Sequence, residues 1–249
     1  MSSDAPRGVF ITFEGGEGAG KSTQIARLAA TLRERSGREV VTTREPGGTQ
    51  RAERYREALL RGVAKPFGPF AEALIFAAAR IDHIDALIRP ALERGAIVLC
   101  DRFADSTRAY QGAAGGLDPA LIASLERVTL GALRPDLTLI LDLPAPAGLA
   151  RARRRSGEGG EAPDRFEAEA LGFHERLRAA FRSIAEAEPE RCRVIDAEPG
   201  PDAVEAAIRA ALAALRPDLL PGETSPGDRD GDRAGDRAGD REGDRDHAA

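Results

Sequence analysis

The residue types that most clearly define a chemistry lie close to the N-terminus. Gly15, Gly20, Lys21 and Ser22 satisfy the pattern G-x-x-x-x-G-K-[ST], which forms a phosphate-binding loop between a strand and a helix. Backbone amides of such a loop turn toward a phosphate, and the helix that follows adds its positive end. The lysine reaches the β- and γ-phosphates, and the serine hydroxyl can ligate Mg²⁺. We therefore predict a nucleotide-phosphate site here.

Lys21 is unusual for this chain. The sequence has 36 Lys plus Arg, but its only lysines are Lys21 and Lys65. A lysine at this position suggests that the site needs a compact point charge rather than a planar guanidinium.

Two further residues follow an apolar run, 96–100, that reads as a buried strand. At the carboxyl end of a strand, Asp101 could hold a Mg²⁺-bound water and Arg102 could form two hydrogen bonds to a phosphate. A surface ion pair between them is the structural alternative. Asp142 ends another apolar run, but we rank it below Asp101 because no basic residue follows it.

Three other positions leave two interpretations open. Glu17 is either a solvated loop residue, or an acceptor for a sugar hydroxyl or an indirect metal partner. Phe76 and Arg80 lie at i and i+4 on one helix face, where the pattern alone favours a core aromatic and a solvated arginine. His83, His174 and Cys100 are interpreted as structural residues.

A basic run precedes a loop, 156–163, that is rich in Gly and Glu. Arg151, Arg153, Arg154 and Arg155 either interact with the helix end and solvent, or fold over a nucleotide as a lid that neutralises the phosphoryl group.

Strand and helix patterns alternate along the chain. The predicted strands are 9–13, 40–43, 96–100, 137–143 and 193–196. The predicted helices are 21–35, 50–61, 70–94 with a bend before Pro90, 105–111, 119–133, 146–155, 164–187 and 202–215. This order predicts an α/β fold in three layers, a five-stranded parallel sheet with helices on both faces. Ligands should bind beyond the carboxyl ends of the strands.

The 249 residues divide into a polar leader at 1–7, one domain at 8–216 with a lid at about 151–166, and a tail at 217–249. The tail contains a Gly-Asp-Arg repeat with little to bury, so we expect it to be disordered. It holds ten acidic residues and five arginines, which accounts for the whole net charge of −5. The neutral body does not favour coating of nucleic acid or membrane.

The two cysteines are far apart in the chain, and no N-terminal segment resembles a secretion signal. They are expected to be reduced thiols in the cytoplasm. No apolar run approaches the roughly 20 residues of a membrane helix.

Seven segments in one order resemble the bacterial thymidylate kinases, within the nucleoside-monophosphate kinases. The similarity extends from about Gly8 to Leu215. The segments are 13–23, 43–49, 76–80, 101–103, 106–112, 134–138 and 164–167.

The resemblance implies the P-loop kinase fold, a homodimer, and the Mg²⁺-dependent reaction ATP + dTMP → ADP + dTDP, a step of dTTP synthesis. The residues implied to bind ATP are Gly15, Gly16, Glu17, Gly18, Ala19, Gly20, Lys21, Ser22 and Thr23. Those implied to bind dTMP are Glu17, Arg44, Phe76, Arg80, Arg102, Ser106, Thr107, Tyr110 and Gln111. Ser22 and Asp101 are the candidate metal residues, and Lys21, Arg102, Glu17, Arg153 and Arg154 are the candidate catalytic residues.

The resemblance also implies individual roles. Phe76 would stack on thymine, Arg80 would donate to a base carbonyl, and Arg102 would bind the acceptor phosphate, with Arg44 and Arg56 as weaker candidates. Glu17 would contact the 3′-hydroxyl, and Tyr110 would lie against C2′ and exclude a ribose hydroxyl. Gly18 stands where some members carry an arginine, and a glycine there accompanies arginines in the lid.

Two alternatives remain at this point. One is a kinase of another nucleoside monophosphate. The other is a nucleotide-dependent switch that needs no acceptor substrate, although no typical switch loop is evident.

Overall fold

A sheet of five parallel strands underlies the described part of the chain, which in this computed structural model comprises residues 7–159, 166 and 169–221. The strands are β1 (Val9–Glu14), β2 (Val40–Arg44), β3 (Ile97–Asp101), β4 (Leu137–Asp142) and β5 (Cys192–Asp196). Their order is β2-β3-β1-β4-β5. The predicted five-stranded parallel sheet is confirmed. Leader residues 1–6, Arg165 and the repeats of the tail lie outside the described residues.

Helices cover both faces of this sheet. They are α1 (Lys21–Arg35), α2 (Gln50–Leu60), α3 (Gly68–His83), α4 (Arg89–Glu93), α5 (Ala104–Thr107), α6 (Pro119–Leu130), α7 (Ala145–Gly159), α8 (Leu171–Ala187) and α9 (Pro201–Leu215). Short 3₁₀ turns span Lys65–Phe67 and Pro217–Leu219. None of the helices in the described part is both long and apolar enough to span a membrane.

The central strand β1 is buried along its whole length. Val9, Ile11 and Phe13 belong to the core formed with α1 and α9. Phe10 faces the opposite layer, where its ring meets Phe103 edge-on at 4.9 Å between centroids. Burial on both faces explains the continuous apolar run, since such a strand has no solvent side for polar residues.

The chain changes direction around β1. It runs outward from β1 to β2, returns to β3 beside β1, and then continues on the other side through β4 to β5. This is a topological switch point, and in open α/β sheets the crevice at such a point receives the ligand.

Several helix boundaries differ from the sequence-based predictions. The predicted helix 70–94 is divided by a π-helical turn, Ile84–Ile88, which lies just before Pro90 and separates α3 from α4. Helix α7 extends to Gly159, past the predicted start of the loop at 156. Helix α8 begins at Leu171 rather than 164.

The start of the predicted tail also needs correction. Leu219 and Leu220 are 0% and 1% exposed, and both pack into the core that contains α1 and α9. The domain therefore extends past residue 216, because two leucines separated from α9 by a short turn still reach apolar surface.

Candidate functional site

A cavity of about 950 Å³ opens at the carboxyl ends of β2 and β3, beside the loop that follows β1. That volume is at the upper end of the range for small-molecule sites. Most of the residues predicted from the sequence line it: Glu17, Gly18, Ala19, Gly20, Lys21, Ser22, Thr23, Arg44, Phe76, Arg80, Asp101, Arg102, Ser106, Thr107, Tyr110 and Gln111. The cavity thus joins the two predicted subsites.

The phosphate loop ends at an uncapped helix. Gly20 is the N-cap of α1 in a left-handed conformation, with no side-chain cap and no acidic residue in the first helical turn. The first amides of α1 and its positive end therefore remain available to an anion.

Lys21 lies inside the loop that precedes it. Its Nζ donates to the carbonyl oxygens of Gly15 and Gly16, at 3.2 and 3.0 Å. Burial lowers the pKa of this ammonium, and the nearby positive charge of Arg102 lowers it further. These neutral carbonyls hold the Lys21 ammonium at the loop and leave its positive charge unneutralised.

The loop contacts helix α7 by a close backbone approach. A Cβ on Gly18, whose φ is +67°, would lie 2.1 Å from the carbonyl oxygen of Gly148. A Cβ on Gly148 would lie 2.4 Å from the carbonyl oxygen of Glu17. Any larger residue at position 18 would displace α7, which gives a physical reason for the glycine that the sequence shows there.

Arg102 joins the phosphate loop to the helical segment after β3. Its Nη1 donates to the carbonyl of Gly15 at 3.1 Å, and its Nη2 donates to Glu17 Oε1 at 2.7 Å. The guanidinium carbon lies 5.0 Å from the ring centroid of Tyr110. The φ of Arg102 is +67°, the one positive value among non-glycine residues in the described part of the chain. Such backbone strain is characteristic of functional sites.

Glu17 is ionised within this cluster. Burial would raise its pKa, but the charges of Arg102 and Lys21 and the hydroxyl of Tyr110 outweigh burial and lower the pKa to about 2. Tyr110 donates to Glu17 Oε1 at 2.7 Å. Within the described residues the other carboxylate oxygen, Oε2, accepts no hydrogen bond, so a ligand hydroxyl can use it.

Ser22 and Asp101 form a pair of oxygen ligands beside the loop. Ser22 Oγ donates to Asp101 Oδ2 at 3.1 Å, while Asp101 Oδ1 is buried with no hydrogen-bond partner in the described structure. No group of three or more His, Cys, Asp or Glu forms a protein-only metal site among the described residues. The pair suits Mg²⁺, which takes few carboxylates together with water and phosphate oxygens.

Arg80 is buried, and the pattern-based expectation of a solvated arginine is wrong. The residue is 4% exposed, and its Nε donates to Glu45 Oε2 at 2.6 Å. Its Nη2 donates to the carbonyl of Phe103 and to Thr107 Oγ1, each at 3.1 Å. Phe76 is half-buried and lines the same part of the cavity.

The other predicted acceptor residues have partners inside the protein. Arg44 donates to Glu53 at 3.0 Å, and Arg56 donates to the carbonyl of Pro46 at 3.0 Å. Gln111 is buried and donates to Glu72 at 3.3 Å. All three residues that donate these bonds also line the cavity.

Comparison with known proteins agrees with this geometry. A family model described as thymidylate kinase matches residues 13–208. The chain belongs to the thymidylate kinase family. It is 57% identical over 210 residues to a thymidylate kinase of Nitrobacter winogradskyi, covering 84% of this chain and 90% of the relative. It is 58% identical over 202 residues to that of Caulobacter vibrioides, covering 81% and 94%.

A solved structure shows the same fold. The crystal structure of thymidylate kinase from Ehrlichia chaffeensis is 35% identical, covers 83% of this chain and 100% of its own, and superposes with a TM-score of 0.67. Membership of this family makes the chain a phosphotransferase.

The arginines of the predicted lid lie on α7. Arg153, Arg154 and Arg155 are all exposed, and of the three only Arg155 lines the cavity. Arg151 donates to the carbonyls of Ala197 and Glu198, both at 2.9 Å, which ties α7 to the loop after β5. The geometry thus favours Arg155 over Arg153 and Arg154 as the arginine nearest to the ligands.

Asp142, which the sequence ranks below Asp101, has arginine partners on α8. Arg178 donates from Nε and Nη2 to both oxygens of Asp142, at 2.6 and 2.8 Å, and Arg182 lies 3.4 Å from one of them. The carboxylate therefore anchors α8 to β4.

Glu14 does not line the cavity but contacts two residues that do, Phe103 and Ser106. It accepts hydrogen bonds from the backbone N–H of Phe103 at 2.7 Å and from Ser106 Oγ at 2.6 Å. Burial, followed by the charge of Asp105, raises its pKa from 4.5 to about 7. Its place at the carboxyl end of β1 was the one available signal, since none of its bonding partners is near it in sequence.

Gly148→Ala should move the phosphate loop, because the new Cβ cannot lie 2.4 Å from the carbonyl of Glu17. We expect the KM for ATP to rise about tenfold and stability to fall by about 1–3 kcal/mol. Steady-state kinetics and thermal unfolding measure both. Gly172→Ala is the matched control. Gly172 lies in α8, and the nearest atom to its new Cβ would be 3.7 Å away. It should leave the KM unchanged and add up to about 1 kcal/mol of stability.

Glu14→Gln should change how stability depends on pH. A carboxyl whose pKa is raised to about 7 on folding binds a proton in the native state that the unfolded state has already lost. The contribution of the Glu14 carboxyl to the free energy of unfolding therefore falls as pH rises from 4.5 to 7, by up to about 3 kcal/mol. Urea unfolding at pH 5, 6, 7 and 8 measures the free energy of unfolding of both proteins. The value for the glutamine variant should increase relative to that of the parent as pH rises. Parallel curves would contradict this interpretation.

Proposed function

We propose that the cavity binds ATP and dTMP end to end and transfers the γ-phosphoryl group from one to the other, giving ADP and dTDP. The observation that carries this proposal is a single cavity lined by the phosphate loop on one side and by Phe76, Arg80 and Tyr110 on the other. The sequence similarity to thymidylate kinases supports the choice of dTMP as acceptor.

The triphosphate would bind at residues 15–23. Amides of the loop and of the first turn of α1 would contact its β- and γ-phosphates, where Lys21 supplies a positive charge. Gly15 and Gly16 contribute carbonyl oxygens that hold Lys21 in place.

The acceptor would extend from Arg102 to Arg80. Arg102 suits the monophosphate, and Glu17 Oε2 is an acceptor for the 3′-hydroxyl. Phe76 would stack on the base, and Arg80 would donate to a base carbonyl. The ring of Tyr110, held by Glu17, would lie against C2′ and disfavour ribose.

Catalysis in this proposal consists of alignment and neutralisation of charge. The phosphate of dTMP is already anionic, so transfer needs no strong general base. Lys21 and Arg102 would stabilise charge on the transferring group, with a lid arginine, Arg155 or one of Arg153 and Arg154, completing the set. Mg²⁺ would be held by Ser22 and Asp101, and when bound it neutralises charge on the phosphates.

Lys21→Ala should reduce turnover to background because it removes the positive charge at the phosphates, and the fold should remain intact because Lys21 is not part of the apolar cores. A coupled assay of ADP release with dTMP as acceptor measures the loss, and circular dichroism checks the fold. Lys65→Ala is the matched control, since Lys65 is exposed and pairs only loosely with Glu169 at 3.5 Å. Its activity should equal that of the parent.

A panel of acceptors tests the substrate assignment in the same assay. dTMP should be phosphorylated with a higher kcat/KM than dUMP, dCMP and AMP. Preference for another monophosphate would contradict the choice of dTMP. ADP release that is independent of any acceptor would indicate a nucleotide switch instead.

We also propose that the kinase is a homodimer that functions in the cytoplasm. Phe70, Leu74 and Ile81 are exposed at i, i+4 and i+11 along α3, and Leu121 and Val128 are exposed on the neighbouring α6. Two adjoining helices that expose large apolar side chains support self-association. The two cysteines are buried and unpaired, as suits a reducing compartment.

Leu74→Arg should convert the dimer into a monomer, because the new charge would be buried against its copy. Light scattering coupled to size-exclusion chromatography measures the mass. Val194→Arg is the control, since Val194 is also exposed but lies on β5 at the edge of the sheet. It should remain dimeric. A parent protein that runs as a monomer would refute the proposal.

A further inference from the structure

A chain of polar side chains connects Arg80 to strand β2. Arg80 Nε donates to Glu45 Oε2 at 2.6 Å, and Glu45 Oε1 lies 3.0 Å from Nδ1 of His83. The other ring nitrogen of His83, Nε2, lies 2.7 Å from Thr43 Oγ1. Arg80, Glu45 and His83 are 4%, 5% and 0% exposed, so water does not compete for these contacts.

These contacts use most of the donors of Arg80. The guanidinium carries N–H groups on Nε, Nη1 and Nη2 in one rigid plane. Nε is bonded to Glu45, and Nη2 is bonded to Phe103 and Thr107. Within the described residues Nη1 has no hydrogen-bond partner, and Arg80 lines the cavity. The plane is therefore fixed by protein contacts, and Nη1 is left for a ligand.

We propose that Glu45, His83 and Thr43 are positioning residues that hold this guanidinium so that Nη1 donates to a carbonyl oxygen of the acceptor base. This inference rests on the proposed function, because it requires Arg80 to contact the base of dTMP. It goes further by naming the residues that give this contact its direction, and with it the selectivity among bases.

The direction of each hydrogen bond follows from the chemistry of the groups. An ionised Glu45 only accepts, so Nδ1 of His83 must donate to it. In a neutral ring Nε2 is then an acceptor, and the hydroxyl of Thr43 donates to it. The second carboxylate oxygen of Glu45, Oε2, accepts from Arg80. Each member thus has a partner that orients it, and the series begins on a strand of the sheet.

The turn after β2 leaves space for this contact. A Cβ on Gly48 would lie 2.4 Å from Thr43 Oγ1 and 2.5 Å from Nε2 of His83. The backbone of Gly48 has a φ of +87° and passes directly beside the pair. Residues 43–49, which the sequence linked only to a family pattern, thereby gain a physical role.

A fixed donor discriminates between bases. Thymine and uracil present a carbonyl where cytosine presents an amino group, and an N–H donor opposite an amino group leaves both groups unpaired. An arginine that can turn away reduces this cost. Loss of the hydrogen bonds that fix the Arg80 guanidinium should therefore weaken dTMP binding and reduce the preference for dTMP over dCMP.

Kinetics of four variants test the proposal on the full-length enzyme. Glu45→Gln and His83→Ala should raise the KM for dTMP about tenfold and reduce the ratio of kcat/KM for dTMP over dCMP by a similar factor. The KM for ATP should stay within about twofold, because the phosphate loop is untouched. His83→Asn should recover most of the loss, since its amide can replace Nδ1 as the donor to Glu45. Thr43→Val should show a smaller rise of about two- to threefold.

Thr129→Val is the matched control for Thr43→Val. Thr129 is a buried threonine whose hydroxyl donates to the carbonyl of Leu125 within α6, away from this series. Thermal unfolding of every variant checks the fold. If Glu45→Gln does not fold, Thr43→Val and His83→Ala still decide. A KM for dTMP in both variants that equals the KM of Thr129→Val overturns the proposal.

Arg80→Gln, measured alongside, distinguishes the role of Arg80 in the acceptor site from the positioning role of its partners. If it leaves the KM for dTMP unchanged, the proposed role of Arg80 in the acceptor site fails. If it raises this KM while folded Glu45→Gln and His83→Ala do not, the positioning role alone fails. The double variant Arg80→Gln with Glu45→Gln should bind dTMP no worse than Arg80→Gln, whereas additive losses would mean that Glu45 does not act through Arg80.

Discussion

The guanidinium of Arg102 is the charge on which the geometry of the cavity depends. It contacts the carbonyl of Gly15, the carboxylate of Glu17 and the face of Tyr110, which belong to the phosphate loop and to the helical segment after β3. The same charge helps to lower the pKa of both Glu17 and Lys21. Its left-handed backbone is an unfavourable conformation of the order of 1 kcal/mol or more, which the surrounding contacts offset. Removing this side chain would break all three of these contacts.

Several other charges around it also have protein partners. Four arginines that line the cavity each donate to an acidic side chain or a carbonyl: Arg102 to Glu17, Arg80 to Glu45, Arg44 to Glu53 and Arg56 to the carbonyl of Pro46. A fixed donor does not need to reorganise when a phosphate or a base arrives, which is the condition for effective electrostatic stabilisation. The body of the protein is neutral overall, so the positive field at the site comes from this local arrangement and from the uncapped end of α1. Close packing of backbones at Gly18 and Gly148 connects the same loop to the helix that carries Arg155.

Much of the fold could be predicted from the sequence because its signals are local. The apolar runs of β1 and β4 indicate strands covered on both faces. Asp118 and Pro119 are residue types that often begin a helix, and Asp118 caps α6 by accepting from the N–H of Ala120. Boundaries were less predictable where tertiary contacts decide them. Leu219 and Leu220 pack into the core because α9 carries them there, although the residues that follow read as an unstructured repeat. The helical run up to Pro90 contains a π-helical turn, Ile84–Ile88, which a propensity argument does not anticipate.

The sequence by itself determined the phosphate loop, the parallel α/β architecture and the family, since each depends on residues that are close together in the chain. Only the tertiary structure decided which side chains meet. Arg80 is a buried, oriented donor rather than a solvated residue because Glu45, thirty-five positions away, pairs with it. Glu14 has a raised pKa because burial outweighs its hydrogen bonds to the segment after β3. These properties depend on desolvation and on charges brought together by crossover connections, and neither is recorded in the local pattern of residues.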